Sequence, residues 1–129
     1  MKKDKPRILF AEDEVFIGLE MSMLLEESGF EVIGPLSSIA DVMARLDDSA
    51  PDLALLDVNL NGTMITPVAE ALRARSIPFA LLTGYSAESF EEPVLRQSVL
   101  LRKPLDERAA LEVLHGMAAS RASEAGCDQ

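Results

Sequence analysis

Four short apolar stretches of this chain end in groups that could do chemistry together. RILFA is followed by Glu12 and Asp13, LALLD ends on Asp57, FALLT ends on Thr83, and SVLLRK ends on Lys103. If these stretches are parallel strands of one sheet, their ends share an edge, which is where open α/β sheets bind ligands. Three carboxylates, a hydroxyl and an ammonium would then meet in one shallow pocket. Carboxylates packed that closely repel, and one is expected to hold a proton unless a cation stands among them. Mg²⁺ suits such a place, because it takes hard oxygen ligands, keeps several waters and pairs with phosphate oxygens. The charges of Glu12, Asp13, Asp57, Lys103 and one Mg²⁺ sum to zero. A phosphoryl group added to Asp57 would find the metal, Lys103 and Thr83 in place for its oxygens. Phosphoryl transfer is mostly positioning and charge stabilisation, and these groups supply both.

The elements that must position these groups are legible as an alternation. Arg7–Ala11 reads as a buried strand. Val15 to Glu27 reads as a helix with Ile17, Met21 and Leu24 at helical spacing, and Gly29 ends it. Phe30–Gly34 is a second strand. Ser38 caps a helix whose apolar face is Ile39, Val42, Met43 and Leu46. Pro51 precedes a third strand, Leu53–Asp57. Thr66-Pro67 reads as N-cap and first-turn proline of a helix to about Arg75. Pro78 precedes the fourth strand, Phe79–Thr83, and Ser98–Lys103 is the fifth. The last helix is expected from Asp106 to about Ser120, with SEAGCDQ frayed beyond it. Between the fourth and fifth strands, Ser86–Gln97 carries acid and serine and is interrupted by Pro93, so at most a short, mobile helix is expected. Strands alternating with helices imply crossovers and a parallel sheet covered on both faces. Leu53–Leu56 and Phe79–Leu82 are apolar without alternation, as doubly covered strands should be.

Composition narrows the setting. The 129 residues suit one domain. The apolar share of 48% can fill a core, and the charged share of 26% is ordinary for a soluble domain. The net charge of −10 argues against a nucleic-acid partner, which needs a cationic surface. No apolar run is long enough to span a bilayer. The N-terminus is a poor signal peptide. The single Cys127 allows no internal disulfide. The cytoplasm is the expected location. No repeat, linker or room for an output domain is visible.

Four motifs then carry a resemblance. FAEDE (Phe10–Glu14), LLDVNLNG (Leu55–Gly62), LLTGY (Leu81–Tyr85) and LRKP (Leu101–Pro104) together resemble the signature of CheY-like response-regulator receiver domains, over about residues 5 to 121. The resemblance implies a doubly wound five-stranded α/β sheet in the order 2-1-3-4-5. Residues 1–121 would form the receiver and 122–129 a flexible tail. It implies that Asp57 is the phosphoacceptor. Asp13 would ligate Mg²⁺ directly, Glu12 through water, and Asn59 by its backbone carbonyl. Thr83 would be the switch hydroxyl, Lys103 would pair with the phosphoryl group, and Lys103-Pro104 would be a cis peptide. The donor would be a phosphohistidine on a histidine kinase or phosphotransfer protein. The chain would be a monomer or weak dimer, outside the membrane, passing its signal by protein contact.

One departure concerns the readout. Receivers usually carry Tyr or Phe three residues before the lysine, where this chain has Leu100. Tyr85 instead follows Thr83 by two, and PFALLTGY (Pro78–Tyr85) is similar to the FATGUY subgroup of receivers. Tyr85 is therefore expected to cover or expose the acyl phosphate, or else simply to pack.

Plainer readings compete at several positions. Glu12 and Asp13 could be first-turn helix charges. Val15 and Phe16 could pack into the core, the expected place for Phe16, or stand exposed as a kinase-docking surface. His115 has no matching ligand and reads as surface or partly packed. The methionines read as core or loop filler. Asp57-x-Asn59-x-Asn61-Gly62 invites a calcium-loop reading, but its twelfth position is Val68 rather than glutamate. A flavin carrier would need a hydroxyl-rich turn where Glu12-Asp13-Glu14 stands. A dehalogenase-type phosphatase would want Asp in place of Asn59.

Overall fold

The computed structural model describes residues 5–84, 90–96, 98–103 and 105–127, without the side chains of 96 and 121–127. The elements, in chain order, are β1 (Arg7–Ala11), α1 (Val15–Glu27), β2 (Glu31–Leu36), α2 (Ile39–Ser49), β3 (Leu53–Asp57), β4 (Asn59–Leu60), β5 (Thr63–Met64), α3 (Thr66–Ala74), β6 (Phe79–Thr83), α4 (Pro93–Arg96), β7 (Val99–Arg102) and α5 (Glu107–Cys127). Five of the strands form a parallel sheet in the order β2-β1-β3-β6-β7. This is the expected 2-1-3-4-5 order. The short β4 and β5 lie outside the sheet and pair with each other as an antiparallel hairpin.

Successive residues of a strand point to opposite faces, and each face has its own core. Ile8, Phe10, Leu53, Leu55, Ala80 and Leu82 pack with Met21 and Leu25 of α1 and Leu114 of α5. Leu9, Ala11, Ala54, Leu56 and Leu81 pack with Val42 and Leu46 of α2, Val68 and Leu72 of α3, and Val94 and Leu95 of α4. Every residue of β3 is buried, as a central strand covered on both faces requires. Burying each such leucine contributes roughly 1.5–3 kcal/mol. That burial fixes the strand ends in space and, with them, the polar residues that follow.

Local signals set most boundaries. The Ser38 Oγ accepts the Asp41 N–H at 3.1 Å and caps α2. At the end of α1, Gly29 has φ +104°. The Gly29 N–H donates to Glu26 O, and the Phe30 N–H to Leu25 O. This paired closure needs a left-handed residue after the cap, and glycine adopts it without strain. The Asp106 Oδ1 accepts the Ala109 N–H at 3.2 Å where α5 begins.

Several expectations are corrected. The N-cap of α3 is Ile65, not Thr66, and no side chain caps it. The Ile65 N–H is held by Val58 O at 2.7 Å and its side chain is fully buried, so the helix starts one residue later than the Thr-Pro pair suggests. The Thr66 hydroxyl is left buried without a partner. The buried face of α1 is Gly18, Met21 and Leu25, while Ile17 is exposed. Phe16 does not pack into the core but is 85% exposed. A helix turns about 100° per residue, which places Phe16 opposite Gly18. Met23 is likewise on the surface rather than in the core. Pro93 opens the short α4 instead of interrupting it, since a first-turn proline forfeits no helical hydrogen bond. α5 continues to Cys127, past the expected end near Ser120, through alanines and a glutamate that favour helix.

Candidate functional site

The site lies at the carboxyl ends of β1, β3, β6 and β7. The chain order reverses between β1 and β3, so their connections leave in opposite directions and open a crevice. Glu12 and Asp13 follow β1, Asp57 closes β3, Thr83 closes β6, and Lys103 follows β7. One carboxylate oxygen from each of Glu12, Asp13 and Asp57 lies within 4.8 Å of the other two. The Lys103 Nζ donates to Asp57 Oδ2 at 2.9 Å. The Asn59 N–H donates to Asp57 Oδ1 at 3.1 Å, so both oxygens of Asp57 are oriented. The backbone holds the neighbours in register: the Lys103 N–H donates to Thr83 O at 2.9 Å, and the Val58 N–H to Leu82 O at 3.1 Å.

Burial differs sharply among these groups. Glu12, Asp57 and Thr83 are buried, whereas Asp13 and Lys103 are partly exposed. Glu12 Oε2 accepts the Glu14 N–H at 3.1 Å, while its Oε1 is buried without a partner. Burial pushes the Glu12 carboxyl up to about 7, and the field of Asp57 adds to the shift. The Glu14 N–H and Lys103 pull the other way without reversing it. Burial disfavours the Lys103 ammonium, but its bond to Asp57 and the fields of Asp57, Glu12 and Glu14 outweigh this and raise its pKa. Lys103 therefore stays charged at neutral pH. The lone oxygen of Glu12 beside two further carboxylates is what a hard cation would relieve.

The loop after Asp57 is built by the β4–β5 hairpin. Asn61 and Gly62 form its tip with φ +49° and +84°. The Gly62 N–H donates to Asn59 Oδ1 at 2.8 Å. This backbone replaces the calcium-loop geometry considered for Asp57–Val68. The Asn61 N–H donates to Asp13 Oδ2 at 2.7 Å, and its side-chain Nδ2 donates to Ser37 O at 2.8 Å. Asn61 thus touches the acidic cluster, which the sequence reading missed. Asn-Gly is the strongest short-range hairpin signal, and it could have found the turn.

Leu100 pairs with Leu81 in the sheet and packs, half-buried, against the core under α2, α3 and α4. Tyr85 and Pro104 lie outside the described residues, and with them the expected cover of the phosphorylation site and the expected cis peptide. His115 is exposed, stacks on Phe30 with ring centroids 4.6 Å apart, and meets Ser28 Oγ at 2.6 Å.

No family model matches the chain. The fold superposes on the signal receiver domain of a LuxO repressor protein from Vibrio parahaemolyticus with TM-score 0.84, at 15% identity over 97% of this chain and 98% of that one. SdrG from Pseudomonas melonis Fr1, solved in a BeF₃-activated conformation, is 36% identical, with TM-score 0.72 over 91% of this chain and 99% of SdrG. The chain belongs to the CheY-like response-regulator receivers. Among curated relatives, this receiver is 29% identical over 87 residues to the transcriptional regulatory protein PdtaR of Mycobacterium tuberculosis, a match covering 67% of the receiver and 42% of PdtaR. The receiver spans less than half the length of the curated relatives it matches. Among its described residues, no helix is long and apolar enough to cross a membrane.

Proposed function

We propose that this receiver is a phosphorylation-driven signalling switch in which Asp57 takes a phosphoryl group from a phosphohistidine on a histidine kinase or phosphotransfer protein. The observation that carries the reading is the Lys103–Asp57 ion pair set beside Glu12 and Asp13 at the switch point of the sheet. In the step, a carboxylate oxygen of Asp57 forms the new P–O bond, and the imidazole nitrogen leaves with the electrons of the P–N bond. The Asn59 N–H and Lys103 hold the Asp57 oxygens in fixed directions, so little reorganisation is needed at the moment of reaction.

The donor set fits Mg²⁺: three carboxylates, one with a buried oxygen lacking a partner. Asp13 and Asp57 would hold it directly, Glu12 through water, and Asn59 by its backbone carbonyl. When bound, it neutralises charge that builds on the transferred phosphoryl oxygens. Lys103 is then placed to pair with the phosphoryl group, and Thr83 to donate its hydroxyl. Trifluoroberyllate has the tetrahedral shape of a phosphoryl group, so the BeF₃-activated form of SdrG supports activation by a phosphoryl group.

The resemblance of Pro78–Tyr85 to the FATGUY subgroup, with leucine at position 100, supports a readout centred on Tyr85. On this reading Tyr85 sets the lifetime of the acyl phosphate. The partner surface is placed on α1, where Val15, Phe16, Leu19 and Met23 are exposed. A separate cavity of about 260 Å³, lined by Ile17, Glu20, Met21, Leu82, Lys103, Leu105 and Glu107, lies between α1 and Lys103. Such a switch works in the cytoplasm as a monomer or weak dimer. Its output passes by protein contact, without nucleic acid.

Titration with Mg²⁺ alone, followed by amide NMR, separates this reading from a constitutive docking protein with a vestigial pocket. The switch predicts saturable shifts around Asp13 and Asp57, and their absence would favour the docking protein.

A further inference from the structure

We propose that Asn61 is a positioning residue that holds Asp13 ready for the divalent cation. The inference rests on the functional reading above and extends it to a residue on the far side of the phosphorylation loop. The Asn61 N–H meets Asp13 Oδ2 at 2.7 Å, a short bond of the charge-assisted kind. Asp13 is partly exposed, on the segment between β1 and α1, and stands beside two other carboxylates. Repulsion from Glu12 and Asp57 favours its turning out into water. The Asn61 N–H opposes that turn before any cation arrives. A carboxylate accepts at about four lone-pair sites, so this bond leaves Asp13 able to ligate.

The hairpin tip is anchored on two sides. Leu60 and Ile65, at its base, are 1% and 0% exposed. The Asn61 side chain donates to Ser37 O, tying the tip to the segment between β2 and α2. The position must also supply a free N–H at φ +49°, a left-handed conformation that asparagine tolerates better than most residues. Proline meets neither demand, and glycine meets both but cannot reach Ser37.

The test compares Mg²⁺ affinity of the whole chain, by calorimetry without a phosphoryl donor, for wild type, Asn61→Pro and Asn61→Gly. Asn61→Pro is expected to weaken Mg²⁺ about tenfold, and Asn61→Gly by about threefold or less. At saturating Mg²⁺, phosphorylation of Asn61→Gly by acetyl phosphate should return to the wild-type rate, which a merely structural defect would not do. An Asn61→Pro affinity within about twofold of wild type overturns the proposal, as does an Asn61→Gly rate that stays low at saturation. Should Asn61→Pro fail to fold, amide exchange decides: Asp13→Ala should speed exchange of the Asn61 N–H about tenfold in the metal-free chain. Unchanged exchange overturns the proposal. Wild type that binds no Mg²⁺ overturns both this inference and the functional reading, whereas normal wild-type binding with an indifferent Asn61→Pro overturns this one alone.

Discussion

Lys103 reaches across from β7 to Asp57 on β3, with Nζ 2.9 Å from Oδ2, although a whole strand, β6, lies between them. Asp57 is buried and Lys103 partly exposed, so the cation is the more solvated partner of the pair. Lys103→Ala removes positive charge from a site that holds three carboxylates. Mg²⁺ affinity should therefore be kept or strengthened, while phosphorylation by acetyl phosphate slows more than about tenfold. Calorimetry and intact-mass kinetics on the same variant check the two halves. Equal losses in both would mean that Lys103 holds the fold rather than the phosphoryl group.

Glu12 makes the metal-free protein sensitive to pH. Its carboxyl is lifted from an ordinary 4.5 to about 7, chiefly by burial and then by Asp57. The folded state thus binds a proton that the unfolded chain has already released between those values. Stability in EDTA should fall as pH rises from about 4.5 to about 7, by about 3 kcal/mol at most, and this contribution should stay flat above. Glu12→Gln should remove the slope and be the more stable variant at pH 8. Mg²⁺ binding should strengthen over the same window, as the cation displaces the proton. Urea unfolding across pH, with and without Mg²⁺, measures both.

Phe16 is 85% exposed and stands with Val15, Leu19 and Met23 on one face of α1. Removing its ring leaves no cavity, so Phe16→Ala should change stability by less than about 0.5 kcal/mol. Phosphotransfer from a protein donor should slow about tenfold or more, since exposed aromatics carry much of an interface's energy. Phosphorylation by acetyl phosphate should not change. A variant slowed equally with both donors would remove α1 as the docking face.

Tyr85 should govern how long the acyl phosphate lasts. Tyr85→Ala is expected to change the dephosphorylation rate by about threefold or more, read as decay of the phosphorylated mass after donor removal. Leu100→Ala should act mainly on stability, because Leu100 packs against the core. Identical decay for Tyr85→Ala and wild type would return Tyr85 to a packing role.

The sheet was readable because each central strand is an unbroken apolar run, and the site because polar residues stand where those runs stop. Leu53–Asp57 shows both features within five residues. Helix faces were harder. α1 is apolar nearly all round, so Ile17 and Phe16 could not be told from Met21 and Leu25 by spacing, and only contact with the sheet decides. Thr66-Pro67 imitates a cap, yet burial of Ile65 and its bond to Val58 set the start of α3. The role of Asn61 depends on a backbone N–H, which no side-chain pattern records, although the Asn61-Gly62 pair is a turn signal that could have been read.

The central claim is that Asp57 accepts a phosphoryl group. Incubating the chain with acetyl phosphate and Mg²⁺, and following intact mass, tests it most directly. Wild type should gain one phosphoryl group in a Mg²⁺-dependent reaction, and Asp57→Asn should gain none under the same conditions. Labelling of Asp57→Asn as fast as wild type would contradict the account.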